Sequence, residues 1–460
     1  MSSQQPRPHL LALAWPMLAE MVLGFAVGIL GLWLASRESD NSSAAFALAN
    51  QLQAVFFLLF RVIGMGVSVV VTQNLGGGNR LAAMGVAKAA LGASSWLGLL
   101  TALLVFVSAG ALLELLNAPP AVLLLGRPYL QVLALALLLD AFNASMAAVM
   151  RAHLRTRDTM FNILAMHGVH LLLCLPLMRG VGELPALGLV GFALAMALSR
   201  LFGLLVHLAL WRWRLQIVPT LGDWWRLRRT LLRPVLQIGL PGAAENVAYR
   251  LAMLASVTVV AGLGSQALAT QTYTFQLMNV VVLFSASIGF ASEILIGHLI
   301  GAGHLQQAHR LLCKSLLLGL LVSLSMASLV ALTARWTLAL FTQDLQIIAS
   351  ATTLLWLSVL LEPGRTCNIV IINALRATGD ARFPVAAGAA SMVLVMAGGS
   401  WLLGVHFKLG LLGVWIAYSA DEWLRGLTMA VRWFCRGWVP AAKATRRRVL
   451  QQAQQGSIQG

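Results

Sequence analysis

The sequence predicts an all-α integral membrane protein, with twelve transmembrane helices in two pseudo-symmetric six-helix lobes. Three observations predict this fold: an apolar composition, about twelve apolar segments and an internal repeat. Of 460 residues, 59% are hydrophobic and only 10% are charged, and the mean hydropathy is +0.83. These values lie far outside the usual composition of soluble globular domains. They indicate a polytopic membrane protein.

Each apolar segment is long enough to cross a bilayer as a helix, which takes roughly 20 apolar residues for a hydrocarbon layer of ~30 Å. We place the spans at residues 9–36, 44–71, 82–113, 119–147, 157–180, 184–212, 236–263, 266–299, 307–335, 344–375, 382–407 and 409–435. The first span follows Arg7 closely, but it is long and contains Glu20. We therefore interpret it as a retained span and not as a signal peptide.

The second half of the chain repeats the first at an offset of 225 positions. Pro16 and Glu20 correspond to Pro241 and Glu245, so each half carries a carboxylate one helical turn after a proline. The same offset relates Gln51-Leu52 to Gln276-Leu277, Ile63-Gly64 to Ile288-Gly289, Gly76-Gly77-Gly78 to Gly301-Ala302-Gly303, Asn143 to Asn368, Arg151-Ala152 to Arg376-Ala377 and Arg157 to Arg382. An ungapped register over this length indicates two homologous halves.

The repeat predicts four regions: an N-terminal six-helix lobe (1–212), a cytoplasmic connector (213–232), a C-terminal six-helix lobe (233–435) and a cytoplasmic tail (436–460). Because each lobe has an even number of spans, the lobes are related by an axis along the membrane normal. Such symmetry is typical of transporters whose site lies between lobes near the bilayer midplane. The tail after Pro440 is polar and Gln-rich, and we expect it to fray.

The net charge is +17, and the positions of the basic residues indicate contact with a membrane surface rather than with a nucleic acid. Basic residues concentrate in the tail and in alternate connections, while connections such as Arg37-Glu38-Ser39-Asp40 hold few. The basic connections include Arg151, Arg155 and Arg157, the connector, and Arg376 and Arg382. This positive-inside pattern predicts that both termini are cytoplasmic. We expect a multi-pass protein of the cell inner membrane, with the lipid bilayer and no nucleic acid as a partner.

Carboxylates inside the spans are the strongest functional candidates. Of fifteen acidic residues, about seven fall inside spans: Glu20, Asp140, Glu245, Glu293, Glu362, Asp421 and Glu422. A charge in hydrocarbon is costly, so such residues usually face a bundle interior or a water cavity, where they pair, bind ions or carry protons. We select Glu20, Glu245, Glu362 and Asp140 as ion-coupling candidates.

Uncharged and basic residues near these acids are candidates for substrate binding. Tyr249 shares a helix face with Glu245, and Arg250 lies on the adjacent face, where it would seek an acid on another span. Thr272, Gln276 and Asn279 form one polar stripe on span eight. In span two, Asn50 shares a face with Arg61. We therefore select Asn50, Tyr249, Arg250, Thr272, Gln276 and Asn279 for substrate binding.

Three further polar residues are candidates for gating or structural pairs. Glu362 and Arg365 are one turn apart and can form an ion pair within span ten. The repeat relates Arg365 to Asp140 and Asn368 to Asn143, so the lobes hold opposite charges at equivalent positions, which would suit a bridge between them. Arg61 needs an acidic partner, for which Asp140 and Glu20 are the candidates in its own lobe.

The sequence holds no nucleophile–base arrangement, cofactor motif or metal-ligand spacing, which disfavours an enzyme. Its four cysteines, Cys174, Cys313, Cys367 and Cys435, show no paired spacing. His167 and His170 lie one turn apart in span five without further ligands, and we interpret them as core histidines.

Four motifs, in order and spacing, resemble the multidrug and toxic compound extrusion (MATE) family across residues 9–435. They are Ala12-Leu13-Ala14-Trp15-Pro16 with Glu20 following, Gln73-Asn74-Leu75-Gly76-Gly77-Gly78-Asn79-Arg80, Gly239-Leu240-Pro241-Gly242-Ala243-Ala244-Glu245, and Ala374-Leu375-Arg376-Ala377-Thr378-Gly379-Asp380-Ala381-Arg382-Phe383-Pro384. The resemblance implies two six-helix lobes around a V-shaped cleft, and export of organic, often cationic, compounds in exchange for Na⁺ or H⁺.

The resemblance also implies where the coupling residues lie. NorM-like members commonly use acids of spans seven and ten, and DinF-like members an aspartate of span one. This sequence departs from both patterns. Gly31 stands at the span-one position, and Glu245 comes one turn before the span-seven position, which holds Tyr249.

We therefore expect a secondary-active efflux transporter that exports organic, cationic or aromatic compounds by alternating access. Its partners are a small-molecule substrate and H⁺ or Na⁺ as coupling ion, and we expect no cofactor, no metal and a monomer. The alternatives are a lipid or lipid-linked precursor flippase, or a flavin or metabolite exporter of the same fold. A lateral portal lined by basic residues would favour a flippase, and acidic and aromatic walls would favour cationic compounds.

Overall fold

The computed structural model describes residues 9–181 and 185–458, in which the regular secondary structure is helical. The α-helices are α1 (Leu10–Ser36), α2 (Asp40–Gly76), α3 (Arg80–Leu115), α4 (Pro120–Ala152), α5 (Thr156–Arg179), α6 (Gly188–Leu210), α7 (Arg229–Gly262), α8 (Ser265–Ala302), α9 (Leu305–Leu332), α10 (Ala334–Leu338), α11 (Leu345–Thr378), α12 (Arg382–Ser391), α13 (Gly398–Trp401), α14 (Gly410–Phe434) and α15 (Val439–Ile458). π-Helical turns at Met392–Ala397 and Leu402–His406 join α12 and α13 into one interrupted span.

Ten helices in the described ranges are long and apolar enough to cross a membrane. The two other long helices, α7 and α14, have the length of a span but carry charged residues that lower their hydropathy, such as Glu245 in α7 and Glu422 in α14. The predicted all-α membrane fold is confirmed.

The chain divides into two compact units. One comprises Ala19–Thr72 and Arg80–Gly239, and the other Met1–Leu18, Gln73–Asn79 and Leu240–Gly460. We call them the N-terminal unit and the C-terminal unit. Residues 1–8, 182–184 and 459–460 of the predicted regions lie outside the described residues.

The N-terminal unit is built around α4, which packs against α3 and α6. Aromatic side chains join its helices: the Phe46 and Phe192 rings meet edge to face at 5.2 Å, and Tyr129 is fully buried beside both. Because lipid tails are as apolar as the helix side chains, such close packing and interhelical hydrogen bonds hold a membrane bundle together. The polar groups of α4 are thus placed on a rigid helix at the centre of the unit.

The C-terminal unit is built the same way around α11, the repeat equivalent of α4, which packs against α8, α9 and α14. Phe275, Trp415 and Tyr418 form an aromatic cluster in its core, with ring centroids 4.8 to 5.7 Å apart. The Trp415 indole donates to Ser358 Oγ at 2.9 Å, so its polar atom is satisfied in the core. The polar residues of α11 and α14 face each other beside this cluster.

Inside the C-terminal unit, the last turns of α2 and α8 cross at two glycines. A Cβ atom on Gly76 would overlap the His298 backbone, and one on Gly301 would overlap the Gln73 backbone. The two contacts are equivalent in the repeat, because Gly301 and His298 lie 225 positions after Gly76 and Gln73. Glycine is required because any side chain would separate the two helices.

The C-terminal segment is a helix, so the expectation that the tail frays is wrong. Thr445 Oγ1 of α15 donates to the Thr378 carbonyl at 3.0 Å, and Arg448 donates to Gln73 Oε1 at 2.6 Å. The Arg446 guanidinium donates to the Gly301 carbonyl. Carbonyls at a helix C-terminus lack partners within the helix. Side chains of α15 donate hydrogen bonds to some of these carbonyls and hold the C-terminal segment in place.

The connector between the repeats is ordered around Asp223. Residues Leu221–Trp224 form a 3₁₀ turn whose capping box joins Thr220 and Asp223. The Asp223 carboxylate also pairs with Lys88 of α3 at 3.4 Å and Arg228 at 2.8 Å. The connector is therefore fastened to the N-terminal unit.

Candidate functional site

Two buried glutamate–arginine pairs are related by the sequence repeat. In the N-terminal unit, Arg151 Nη1 lies 2.9 Å from Glu20 Oε2. In the C-terminal unit, Arg376 Nη2 lies 2.5 Å from Glu245 Oε2. Both members of the second pair are the 225-position equivalents of the first. The same glutamate–arginine ion pair therefore occurs once in each repeat.

The arginines of these pairs come from the ends of the central helices. Arg151 is the residue before the last of α4, and Arg376 is two residues before the end of α11. The sequence predicts both as surface arginines of basic connections, but their side chains are only 22% and 7% exposed. The surface assignment is wrong because a long arginine side chain reaches inward from a helix end.

The largest polar cluster lies in the C-terminal unit, between the middles of α11 and α14. We call it the α11–α14 cluster, and its charged members are Glu362, Arg365, Asp421, Glu422 and Arg425. Arg365 Nη1 lies 2.6 Å from Glu362 Oε1, as their spacing predicts, and Arg365 Nε lies 3.1 Å from Glu422 Oε1. One guanidinium thus holds acids from both helices.

Glu422 is the centre of the cluster. Its Oε1 also lies 3.0 Å from Arg425 Nη2, and its Oε2 accepts from Asn368 Nδ2 at 3.2 Å. Asp421 accepts from Arg425 at 2.6 Å and from the Ser391 hydroxyl at 2.6 Å. The predicted polar residue Asn368 therefore belongs to this network.

The α11–α14 cluster has one acid more than it has bases. Three carboxylates face two guanidinium groups, so the fully ionised cluster carries a net charge of −1. Glu362 is fully buried, and its Oε2 atom has no hydrogen-bond partner among the described residues. An uncompensated charge buried in this way is costly, so the cluster favours binding one cation.

A small cavity adjoins the cluster. It has a volume of about 10 Å³ and is lined by Tyr249, Met253, Phe275, Arg365, Met396, Tyr418, Asp421 and Glu422. This is about the space that one water molecule occupies. Tyr249, a substrate-binding candidate, thus lies beside the acids of span twelve.

The N-terminal unit has a smaller, balanced counterpart. Asp140 Oδ1 of α4 lies 2.8 Å from Arg200 Nε of α6. Asn143 donates to the Arg200 carbonyl at 2.9 Å, and its Oδ1 lies 3.0 Å from His207 Nδ1. Asp140 and Arg365 therefore each form an ion pair within their own unit.

The other substrate-binding candidates are not members of these clusters. Both acids proposed as partners for Arg61, Glu20 and Asp140, pair with other arginines. Arg250 is exposed and forms none of the ion pairs found among the described residues. On α8, Thr272 and Asn279 are exposed, Gln276 is half-buried, and the Thr272 hydroxyl bonds to its own helix at 2.8 Å. Asn50 of α2 is half-buried.

Sequence reasoning missed Arg200 and Arg425, the bases that complete both clusters. They are repeat equivalents, 225 positions apart. A search of the repeat for charged residues inside spans finds them.

The MatE family model matches the chain twice, at residues 16–175 and 241–401. Together the matches cover more than half of the chain, and they begin at the equivalent residues Pro16 and Pro241. The chain belongs to the MATE family. This is a family of transporters, so the prediction that the protein is not an enzyme is confirmed.

Relatives of this MATE protein align along nearly their whole length. The "Uncharacterized transporter YisQ" of Bacillus subtilis is 32% identical over 435 residues, which is 95% of this chain and 96% of that protein. The "Probable multidrug resistance protein NorM" of Thermotoga maritima is 24% identical over 455 residues, covering 96% and 95%.

A crystal structure described as MATE in the bent conformation has the same fold. It superposes with a TM-score of 0.86 at 18% sequence identity and covers 95% of this chain and 96% of that one. The fold comparison and the family match agree, although residue roles do not transfer at this identity.

Proposed function

We propose that this MATE protein is a secondary-active efflux transporter that exports organic, cationic or aromatic compounds in exchange for H⁺ or Na⁺ by alternating access. Family membership supports transport, and the names of its NorM relatives support multidrug compounds as the substrate class.

The surplus carboxylate of the α11–α14 cluster carries the proposal. Two arginines cannot neutralise three acids, and within the described part of the chain one buried oxygen of Glu362 has no hydrogen-bond partner. Binding of H⁺ or Na⁺ at Glu362 removes the net negative charge of the cluster. Its release restores a charge that the apolar surroundings disfavour. Occupancy by a cation and the arrangement of α11 and α14 are thereby coupled.

Glu20 and Glu245 have a different role in this proposal. Each is neutralised by a nearby arginine, at 2.9 Å and 2.5 Å. A cation at either acid would have to displace or approach that guanidinium, which costs Coulomb energy. Glu362 also has an arginine, Arg365, at 2.6 Å, but it shares that guanidinium with Glu422, whereas Glu20 and Glu245 each have an arginine of their own. We therefore assign ion coupling to Glu362 and regard the two repeated pairs as structural or gating contacts. Asp140, balanced by Arg200, falls in the same group.

The cavity beside the cluster is lined by Asp421 and Glu422 and is too small for the organic substrate. Its volume of about 10 Å³ suits a particle the size of water. The organic substrate therefore needs another surface, for which Asn50, Arg250, Thr272, Gln276 and Asn279 stay as candidates. Tyr249 remains a candidate that lies beside the ion.

The positive-inside pattern supports an orientation in which both termini are cytoplasmic, in a cell inner membrane. The Arg446 and Arg448 side chains would then hold α15 to the cytoplasmic ends of α8 and α2. We propose a monomer as the transporting species.

The test uses purified protein in proteoliposomes and a panel of cationic dyes and flavins. Exchange is measured under a pH gradient and then under a Na⁺ gradient, for the unmodified protein, Glu362→Gln and Glu114→Gln. Glu114 is exposed, so its variant is the matched control. We expect Glu362→Gln to lose gradient-driven export but keep dye counterflow without a gradient. Unchanged gradient-driven export by Glu362→Gln would overturn the coupling proposal, and absence of transport of any dye or flavin would overturn the substrate class.

A further inference from the structure

A groove separate from the α11–α14 cluster lies at the end of α14. It has a volume of about 470 Å³ and is lined by Phe383, Leu427, Thr428, Val431, Arg432, Cys435 and Gly437. This volume is in the range of sites that bind small molecules. Leu427 and Val431 are 55% and 62% exposed, on α14, which has the length of a membrane span. One wall of the groove is therefore apolar and exposed.

The end of the groove nearest the C-terminal end of α14 is basic. Arg432 Nε donates to Asp380 Oδ2 at 3.0 Å, and its guanidinium lies 4.7 Å from the centroid of the Phe383 ring. These contacts hold the Arg432 side chain over the groove while leaving it 34% exposed. Arg382 and Arg436 are exposed neighbours of the lining residues. Arg432 and these two sequence neighbours of the lining carry three positive charges, against the single negative charge of Asp380, which leaves a net charge of +2.

We propose that this groove binds an anionic phospholipid, with its phosphate at Arg432, Arg436 and Arg382 and an acyl chain along Leu427 and Val431. The chemistry of the two ends determines the occupant. A soluble anion would use the basic end but gains nothing from the apolar wall, and a zwitterionic lipid would use the wall without the net charge. Basic pockets at the ends of transmembrane helices bind anionic headgroups on this principle.

A cysteine in the groove can report whether the groove is occupied. Cys435 lines it and is exposed, whereas Cys174 is buried and Cys313 and Cys367 are only partly accessible. A bound lipid covers the Cys435 thiol and slows its alkylation. The remaining cysteines report any change in the fold.

The experiment measures maleimide alkylation of Cys435 in the full chain in detergent, titrated with phosphatidylglycerol, phosphatidylcholine or inorganic phosphate. Native mass spectrometry counts bound lipid in the same samples. We expect phosphatidylglycerol to protect Cys435, with weaker protection by phosphatidylcholine and none by phosphate. A basic residue near an anionic lipid contributes about 1 kcal/mol, or about fivefold in affinity. The double variant Arg382→Gln/Arg436→Gln should therefore lose about 25-fold.

Two further variants separate the proposal from a general charge effect. Arg310→Gln, an exposed arginine outside the groove, should leave phosphatidylglycerol binding unchanged. Val431→Trp fills the groove from an exposed position, so it should block binding while the protein stays folded. Equal protection by both lipids, equal protection by phosphate, or equal loss in Arg310→Gln and the double variant would overturn the proposal.

Discussion

Breaking the Glu245–Arg376 pair should destabilise the C-terminal unit strongly. The Arg376 and Glu245 side chains are 7% and 11% exposed, and their charged atoms are 2.5 Å apart. Removing one partner of such a buried pair costs about 3–5 kcal/mol, because it leaves the other charge buried alone. We therefore expect Arg376→Gln to lose about this much unfolding free energy, and Glu245→Gln to lose a comparable amount.

The assay is denaturant unfolding of the detergent-solubilised protein, followed by tryptophan fluorescence, as a double-mutant cycle. The double variant Glu245→Gln/Arg376→Gln leaves no unpaired charge, so its cost should fall short of the summed single costs by at least about 1 kcal/mol. Arg310→Gln is the control, since an exposed arginine should change stability by no more than about 0.5 kcal/mol. Additive single costs, or an Arg376→Gln variant as stable as this control, would refute the reasoning.

Three other predictions use the same structure. A double-mutant cycle of Glu20→Gln and Arg151→Gln should show a smaller coupling energy than the Glu245–Arg376 cycle, because the Arg151 side chain is 22% exposed. Gly301→Ala should lower the yield of folded protein, because its Cβ would overlap the backbone of α2, whereas Gly24→Ala, with no atom within 4 Å of the new Cβ, should be tolerated in the same expression assay. Burial alone raises the pKa of the Asp223 carboxyl, but hydrogen bonds from Thr220 and the charge of Lys88 outweigh it and hold that pKa below its ordinary value. Because the pKa of Asp223 is lower in the folded state than in the unfolded state, its carboxylate stabilises the folded connector at pH values above the unfolded-state pKa. Acidification below about pH 4 should therefore release the connector in the unmodified protein. In a proteolysis assay, Asp223→Asn should abolish this pH dependence.

The sequence predicted the parts of the fold that depend on composition and repetition. Hydropathy located the spans, and the 225-position register identified the homologous halves. The Glu362–Arg365 pair was also predictable, because residues three apart lie on the same face of a helix. These features are local or repeated, so a single chain contains enough information to find them.

The remaining contacts join residues distant in sequence. Local spacing does not indicate that Arg151 reaches Glu20, 131 positions away, or that Arg200 completes the Asp140 pair. The polar, Gln-rich composition of the tail likewise predicted that it frays. The sequence pattern does not indicate that Thr445 and Arg448 find partners at the ends of α11 and α2. Each of these depends on which helices pack together, which the sequence pattern leaves open.

The most direct test of cation coupling is the number of cations that the purified protein binds. Proton uptake after a pH jump and binding of radioactive Na⁺ can be counted in detergent, without any assumption about the organic substrate. The surplus acid predicts that Glu362→Gln binds one cation fewer than the unmodified protein, while Glu245→Gln and the exposed control Glu114→Gln lose none. Equal cation binding by Glu362→Gln and the unmodified protein, or a cation lost in Glu245→Gln instead, would contradict the account.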